Sequence, residues 1–189
     1  MKIVLIDNRD SFVYNLMDAF AEHDCVVFRN TVDVQKVLSV QPDVICLSPG
    51  PGHPREAGNL MNIVAESYGK IPLLGICLGF QAILEHLGCA VVPCGPVHGV
   101  ADTLTLTKAG EEFFGGETRV ARYHSLGCVT VTKNLLTLGT CESEIGKVIM
   151  AAYSPEEKVL GLQFHPESIL SPTGPQILEK ALVTLGGGK

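Results

Sequence analysis

The apolar residues of this chain begin as short unbroken runs, separated by segments with helical spacing. "KIVLI" at 2–6 is such a run, and after "DNRD" the residues Phe12, Leu16, Ala19 and Phe20 share one face at the 3.6-residue period. The run reads as a buried strand and the periodic segment as a helix, with Asp10 or Ser11 placed to cap it. "CVVF" and "DVICL" are two further strands around a weaker helix from Val32 to Val40. "PGPGHP" is too rich in proline and glycine for regular structure and predicts a rigid loop after the strand at Val44–Leu47. A helix from about Asn59 to Tyr68 leads to the strand "PLLGI". The helix after Cys77 turns Phe80, Ile83, Leu84 and Leu87 inward and stops at Gly88. Alternation with such short connections predicts parallel strands joined by right-handed crossovers.

The second half reads differently. "TLTLT", "RVARYHSL", "CVTV", "KVIMAAYS" and "KVLGLQFH" look like short strands with turn residues between them. A final helix covers roughly Thr173 to Leu185, and 186–189 read as a frayed tail. The expected fold is α/β: an open, mostly parallel twisted sheet with helices on both faces, plus a small mixed or antiparallel extension. With no repeat, low-complexity stretch or linker, residues 1–189 form a single expected domain.

Composition narrows the function classes. A net charge of −6 argues against nucleic acid or an anionic membrane as main partner. The first apolar run is broken by Asp7 too early for a signal peptide, and no stretch reaches the ~20 apolar residues that span a bilayer. A cytoplasmic location is expected. The seven cysteines are odd in number and include no C-x-x-C pair, which favours neither a disulfide framework nor a zinc site. Cys89 and Cys94 flank a short strand, with packing thiols the plainer reading and a redox pair the alternative. His53, His98 and His124 lack the spacing of a helical zinc motif, so no metal site is expected.

One cysteine is framed unlike the rest. Cys77 stands where the strand "PLLGI" ends and a helix begins, with glycines at 75 and 79. Strand ends of parallel sheets open the crevice where ligands bind. A helix N-terminus favours a thiolate over a thiol. Glycines relieve a sharp turn and leave the sulfur exposed, which is the nucleophile-elbow pattern G-x-S-x-G with sulfur for oxygen. The alternative is a packing cysteine between incidental glycines. A thiol nucleophile needs a base, and the base needs an orienting group. In "LGLQFHPES", strand alternation puts His165 and Glu167 on one face, so Glu167 can hold the imidazole's tautomer and stabilise its charged form.

Four stretches in order, "LSPGPGHP", "GICLGFQAI", "RYHSL" and "GLQFHPESIL", resemble the class I, or triad, glutamine amidotransferases. The opening "IDNRDSFVYNL" resembles, within that family, the glutaminase subunits that serve chorismate-using synthases: anthranilate synthase, aminodeoxychorismate synthase of the folate branch, or, as a dual-use subunit, both. "ETRVARYHSL" favours the tryptophan branch. The resemblance implies Cys77 as nucleophile with His165 and Glu167 as partners. It implies Gly50, Pro51 and Gly52 as the loop lining a glutamine site, Gln81 as a substrate contact, and Ser125 and Leu126 as holders of the α-amino and α-carboxyl end. The backbone N–H groups of Leu78 and Gly52 are suited to an oxyanion hole. Two positions depart from the family pattern: Phe80, often histidine, and Val100, where the chorismate branch commonly has lysine. With no G-x-x-x-x-G-K-[ST] loop, acceptor chemistry is expected on another polypeptide. The implied partners are L-glutamine and a chorismate-using synthase subunit docking near "DNRDSF", "PGPGHP" and Ser125, with no cofactor in this chain and magnesium on the partner. Two readings from other classes remain at this stage: a cysteine peptidase or γ-glutamyl hydrolase, and a non-catalytic thiol sensor.

Overall fold

Each short apolar run of the first half becomes a strand with apolar contacts on both faces, fully buried in the central strands and partly buried in the edge strand that "CVVF" forms. In β1 (Lys2–Asp7), Ile3 and Leu5 enter one core while Val4 and Ile6 enter another on the opposite face, and all four are fully buried. Burial on both sides explains why the run is continuous rather than alternating. The computed structural model describes residues 1–187. It continues with α1 (Val13–Ala19), β2 (Asp24–Arg29), α2 (Val34–Ser39), β3 (Val44–Leu47), a 3-10 turn at Pro54–Glu56, α3 (Leu60–Ser67), β4 (Leu73–Ile76) and α4 (Leu78–His86). The second half holds β5 (Val92–Pro93), β6 (Val100–Thr103), β7 (Thr105–Leu106), α5 (Lys108–Phe114), β8 (Arg119–Arg122), β9 (Leu126–Gly127), β10 (Leu136–Ser143), β11 (Gly146–Ser154), β12 (Val159–Leu162) and α6 (Gly174–Gly186).

The main sheet runs β2-β1-β3-β4-β12-β11-β10-β7. β2, β1, β3, β4 and β12 are parallel, and β11, β10 and β7 extend the sheet antiparallel. Two small antiparallel pairs, β5/β9 and β6/β8, stand beside it. The expected α/β architecture with an antiparallel extension is therefore present. Its decisive register is β12 beside β4, with Leu162 opposite Ile76, because it brings the residues after Leu162 to the turn after Ile76.

Several local expectations are corrected. In α1 the buried face is Val13, Leu16 and Phe20, while Ala19 is exposed. Asp10 does not cap the helix from its N-cap position; its carboxylate accepts from the Phe12 N–H at 2.8 Å in a turn one step earlier, and Ser11 makes no cap. "CVTV" is not a strand: Cys128 packs inward and Val129 is exposed. α5 and β10 were not anticipated. Gly186 ends α6 and Gly187 caps it, so only positions 188 and 189 of the expected tail lie outside the described residues.

Candidate active site

The turn from β4 into α4 forces Cys77 into a backbone conformation that side-chain-bearing residues rarely adopt, φ +51° and ψ −104°. The Cys77 N–H donates to the Leu162 carbonyl at 2.7 Å, and the Cys77 carbonyl accepts from the Gln81 N–H at 3.0 Å, so the strained residue is pinned from both sides. Gly79 lets α4 press against β3: a Cβ there would overlap the Leu47 carbonyl. One at Gly75 would come within 2.7 Å of the Phe80 nitrogen. The glycines thus permit close approach of helix to sheet rather than baring the sulfur, since Cys77 is only 6% exposed. Leu78 is the first residue of α4, so its N–H lacks an intrahelical acceptor.

His165 reaches this turn from the end of β12. Beyond Leu162 the chain leaves strand geometry, so His165 and Glu167 meet across a turn rather than along a strand face. His165 Nδ1 pairs with Glu167 Oε1 at 2.7 Å, with both side chains almost wholly buried. The imidazole is carried on a fixed backbone, with the His165 main-chain N–H donating to the Ala121 carbonyl at 2.9 Å and Ser171 Oγ donating to the His165 main-chain carbonyl at 2.7 Å. The rings of Phe12 and Tyr123 each lie 5.1 Å from it. Among the described residues, Nε2 has no partner of good hydrogen-bond geometry. Burial pulls the His165 pKa down, but interaction with Cys77 and then with Glu167 outweighs it and pushes the value up to about 10. This environment favours the imidazolium.

In front of Cys77 lies a cavity of about 150 Å³. It is lined by all six residues implied as substrate contacts, Gly50, Pro51, Gly52, Gln81, Ser125 and Leu126, together with Tyr123 and His124. Tyr123 was overlooked, although it sits inside the quoted "RYHSL". The loop bearing Gly50 is fixed by Asn8, whose N–H donates to Ser48 Oγ at 2.9 Å and whose amide nitrogen donates to the Ser48 carbonyl at 2.8 Å. Both amide hydrogens of Gln81 are committed, to the Leu126 carbonyl at 3.1 Å and to Gln163 Oε1 at 3.2 Å, which leaves its oxygen for a ligand. Gln163 was also overlooked; its position two residues before His165 was the available signal.

His124 is a buried neutral base. Burial and then the Arg122 guanidinium pull its pKa down to about 4. Arg122 Nε donates to its Nε2 at 3.3 Å, which puts the proton on Nδ1, 3.0 Å from the Leu126 carbonyl. Arg122 is itself paired with Asp102 at 2.8 Å. The other histidines are scattered: His53 caps the 3-10 turn and His98 packs edge-on against Tyr123. Among the described residues, no group of three or more His, Cys, Asp or Glu is arranged to hold a metal ion. Cys89 and Cys94 are not neighbours; Cys94 lies 3.7 Å from His124 Nδ1, and Cys89 lies beside Cys128.

Residues 4–185 match the family described as glutamine amidotransferase class-I. The chain is 54% identical to anthranilate synthase component 2 of Corynebacterium glutamicum, with 97% of each chain covered. It is 38% identical to anthranilate synthase component 2 of Buchnera aphidicola, covering 95% of this chain and 94% of that one. A crystal structure of a glutamine amidotransferase from Thermotoga maritima shares the fold, with a TM-score of 0.75 at 15% identity over 99% of this chain and 98% of that one. Among the described residues no helix is long and apolar enough to cross a membrane.

Proposed function

Because this chain belongs to the class-I glutamine amidotransferases, we propose that it is the glutaminase component of an anthranilate synthase, supplying ammonia to a chorismate-using partner subunit. What carries the reading is the meeting of Cys77, on its strained elbow, with the buried His165–Glu167 pair beside a small polar cavity. The 54% identity to a component 2 chain supports the tryptophan branch over the folate branch.

The Cys77 thiolate attacks the side-chain amide carbon of L-glutamine, and the C=O electron pair moves onto oxygen. The N–H groups of Leu78 and Gly52 receive that charge; losing one such donor typically costs ~10² to 10³ in rate. His165 gives its proton to the amide nitrogen, the C–N bond breaks, and ammonia leaves a γ-glutamyl thioester. Water loses a proton to the same imidazole and adds to the thioester, after which the C–S bond breaks and the thiolate returns. Gly50, Pro51, Gln81, Ser125 and Leu126 hold the substrate. No step asks for a cofactor in this chain, and magnesium belongs to the partner's chemistry. A nucleophile that must stay a free thiol suits the reducing cytoplasm.

The partner docks over the rim of the crevice. Tyr14 is 72% exposed and Ile169, two residues past Glu167, is 95% exposed, apolar surface of the kind interfaces cover. The test mixes the purified chain with a chorismate-using synthase subunit of each branch and measures association and product from glutamine. Anthranilate formation that Cys77→Ala abolishes, while ammonia-driven formation survives, is the expected result. Product with the aminodeoxychorismate partner alone would assign the folate branch, and glutamine turnover retained by Cys77→Ala would remove the nucleophile.

A further inference from the structure

The proposed triad leaves one contact of the nucleophile unexplained. Gln163 is fully buried between β12 and the turn, and its Nε2 lies 3.6 Å from Cys77 Sγ. An amide placed there could present either its NH2 or its oxygen to the sulfur, and the two ends act oppositely: an N–H holds a thiolate, whereas a carbonyl oxygen holds a thiol. The orientation is decided at the far end of a chain of contacts. The Leu126 carbonyl can only accept, so the Gln81 group 3.1 Å from it must be the NH2. The same nitrogen lies 3.2 Å from the Gln163 amide, which must therefore offer its oxygen there. The Gln163 NH2 is left facing the sulfur.

We propose that Gln163 is a catalytic residue of this site, an amide donor that holds negative charge on the Cys77 sulfur and is locked in that role by the Leu126 carbonyl acting through Gln81. The inference rests on Cys77 being the nucleophile. The donor serves at two moments. In the resting site it supports the thiolate that attacks the amide carbon. In thioester hydrolysis the C–S bond breaks and its electron pair returns to sulfur, where the same N–H receives it. The link also runs from the pocket: Leu126 belongs to the segment that holds the substrate, so the group that aligns the substrate's end aligns the sulfur's donor as well.

The experiment follows the alkylation of Cys77 by iodoacetamide from pH 5 to 9, read by mass spectrometry, in the unmodified protein and in Gln163→Met, Gln163→Glu and Gln81→Met. Thermal melts first establish that each variant is folded. Gln163→Met keeps the bulk and removes the donor, and a hydrogen bond to a charged group of ~1.5 to 3 kcal/mol predicts a rate roughly 10-fold to 100-fold lower near pH 6.5. The curves should converge toward pH 9, where the thiol ionises unaided. Gln163→Glu, with a carboxylate against the sulfur, should lose more. If the buried Gln163 variants do not fold, Gln81→Met decides, because it frees the Gln163 amide to turn and should give a smaller loss of the same sign. A folded Gln163→Met, or failing that Gln81→Met, with an unchanged pH–rate curve overturns the proposal. Glutamine hydrolysis surviving in Cys77→Ala would be a different failure, of the nucleophile itself, and leaves the alkylation curves to be read on their own.

Discussion

His165 shows how a single side chain is turned into a base by its surroundings. An imidazole this deeply buried should lose its proton, yet contact with Cys77 and Glu167 raises its pKa to about 10. Glu167 has no other side-chain partner in the site, and its second oxygen is buried and unpaired among the described residues. Its charge is thus aimed at one target. Glu167→Gln keeps the shape and deletes the charge, so kcat for glutamine should fall by ~10² to 10⁴ with KM little changed. Steady-state glutaminase assays across pH would show this, and a variant with normal kcat would make Glu167 a packing residue. At this scale much was readable from the sequence. Cys77 between its glycines, and the i, i+2 pair His165 and Glu167, stand out by chemistry and spacing alone. Gln163 offered only its place two residues before His165, and its role shows once its contact with the sulfur is seen.

Among the elements, the segment between β8 and β9 carries the pocket wall, and a side-chain network supports it beside the backbone bonds that Cys94 and Val97 donate to the Ser125 and His124 carbonyls. Arg122, anchored by Asp102, donates to His124, and His124 donates to the Leu126 carbonyl that Gln81 also reaches. Arg122→Met or His124→Leu should loosen Ser125 and Leu126 without disturbing the triad. The expected outcome is a KM for glutamine about tenfold higher with kcat changed less, and a small drop in the iodoacetamide reactivity of Cys77, because the Leu126 carbonyl also fixes the Gln163 donor through Gln81. Equal loss in kcat would instead place the network in the chemical step. The elements that sequence patterns missed have physical reasons. β10 has no clean alternation because Gly139 sits in its middle and the register with β11 shifts on either side of it. α5, "KAGEEFF", is short and charged; its Gly110 allows close packing against the Leu138 carbonyl, a contact that periodicity does not encode. Phe80 is legible in hindsight: it fills the space over Gly161, where any Cβ would overlap its ring, so the departure from histidine is a packing feature.

Across the whole molecule, the site exists because β12 inserts beside β4, a strand order no local pattern reports. That insertion gathers two buried histidines held in opposite protonation states, and it sets how stability should vary with pH. An unfolded histidine titrates near ~6.5. His165, at about 10 when folded, binds its proton more tightly in the native state. Its contribution is complete below about pH 6.5 and is lost as pH climbs toward 10. His124, at about 4 when folded, works the other way. As pH drops below about 6.5 the unfolded chain takes up a proton that the native site refuses until about 4, so stability is lost across that window, by on the order of 3 kcal/mol. The two slopes meet near pH 6.5, where stability from this pair is greatest. Thermal melts between pH 4 and 10 test this through differences between variants, because carboxylates elsewhere titrate equally in all of them. His124→Asn should flatten the acid side of the Tm curve and spare the alkaline side, and His165→Asn should do the reverse. Three parallel curves would mean that neither histidine is held in the charge state that its neighbours impose, and the imidazolium–thiolate pair on which the proposed chemistry turns would lose its footing.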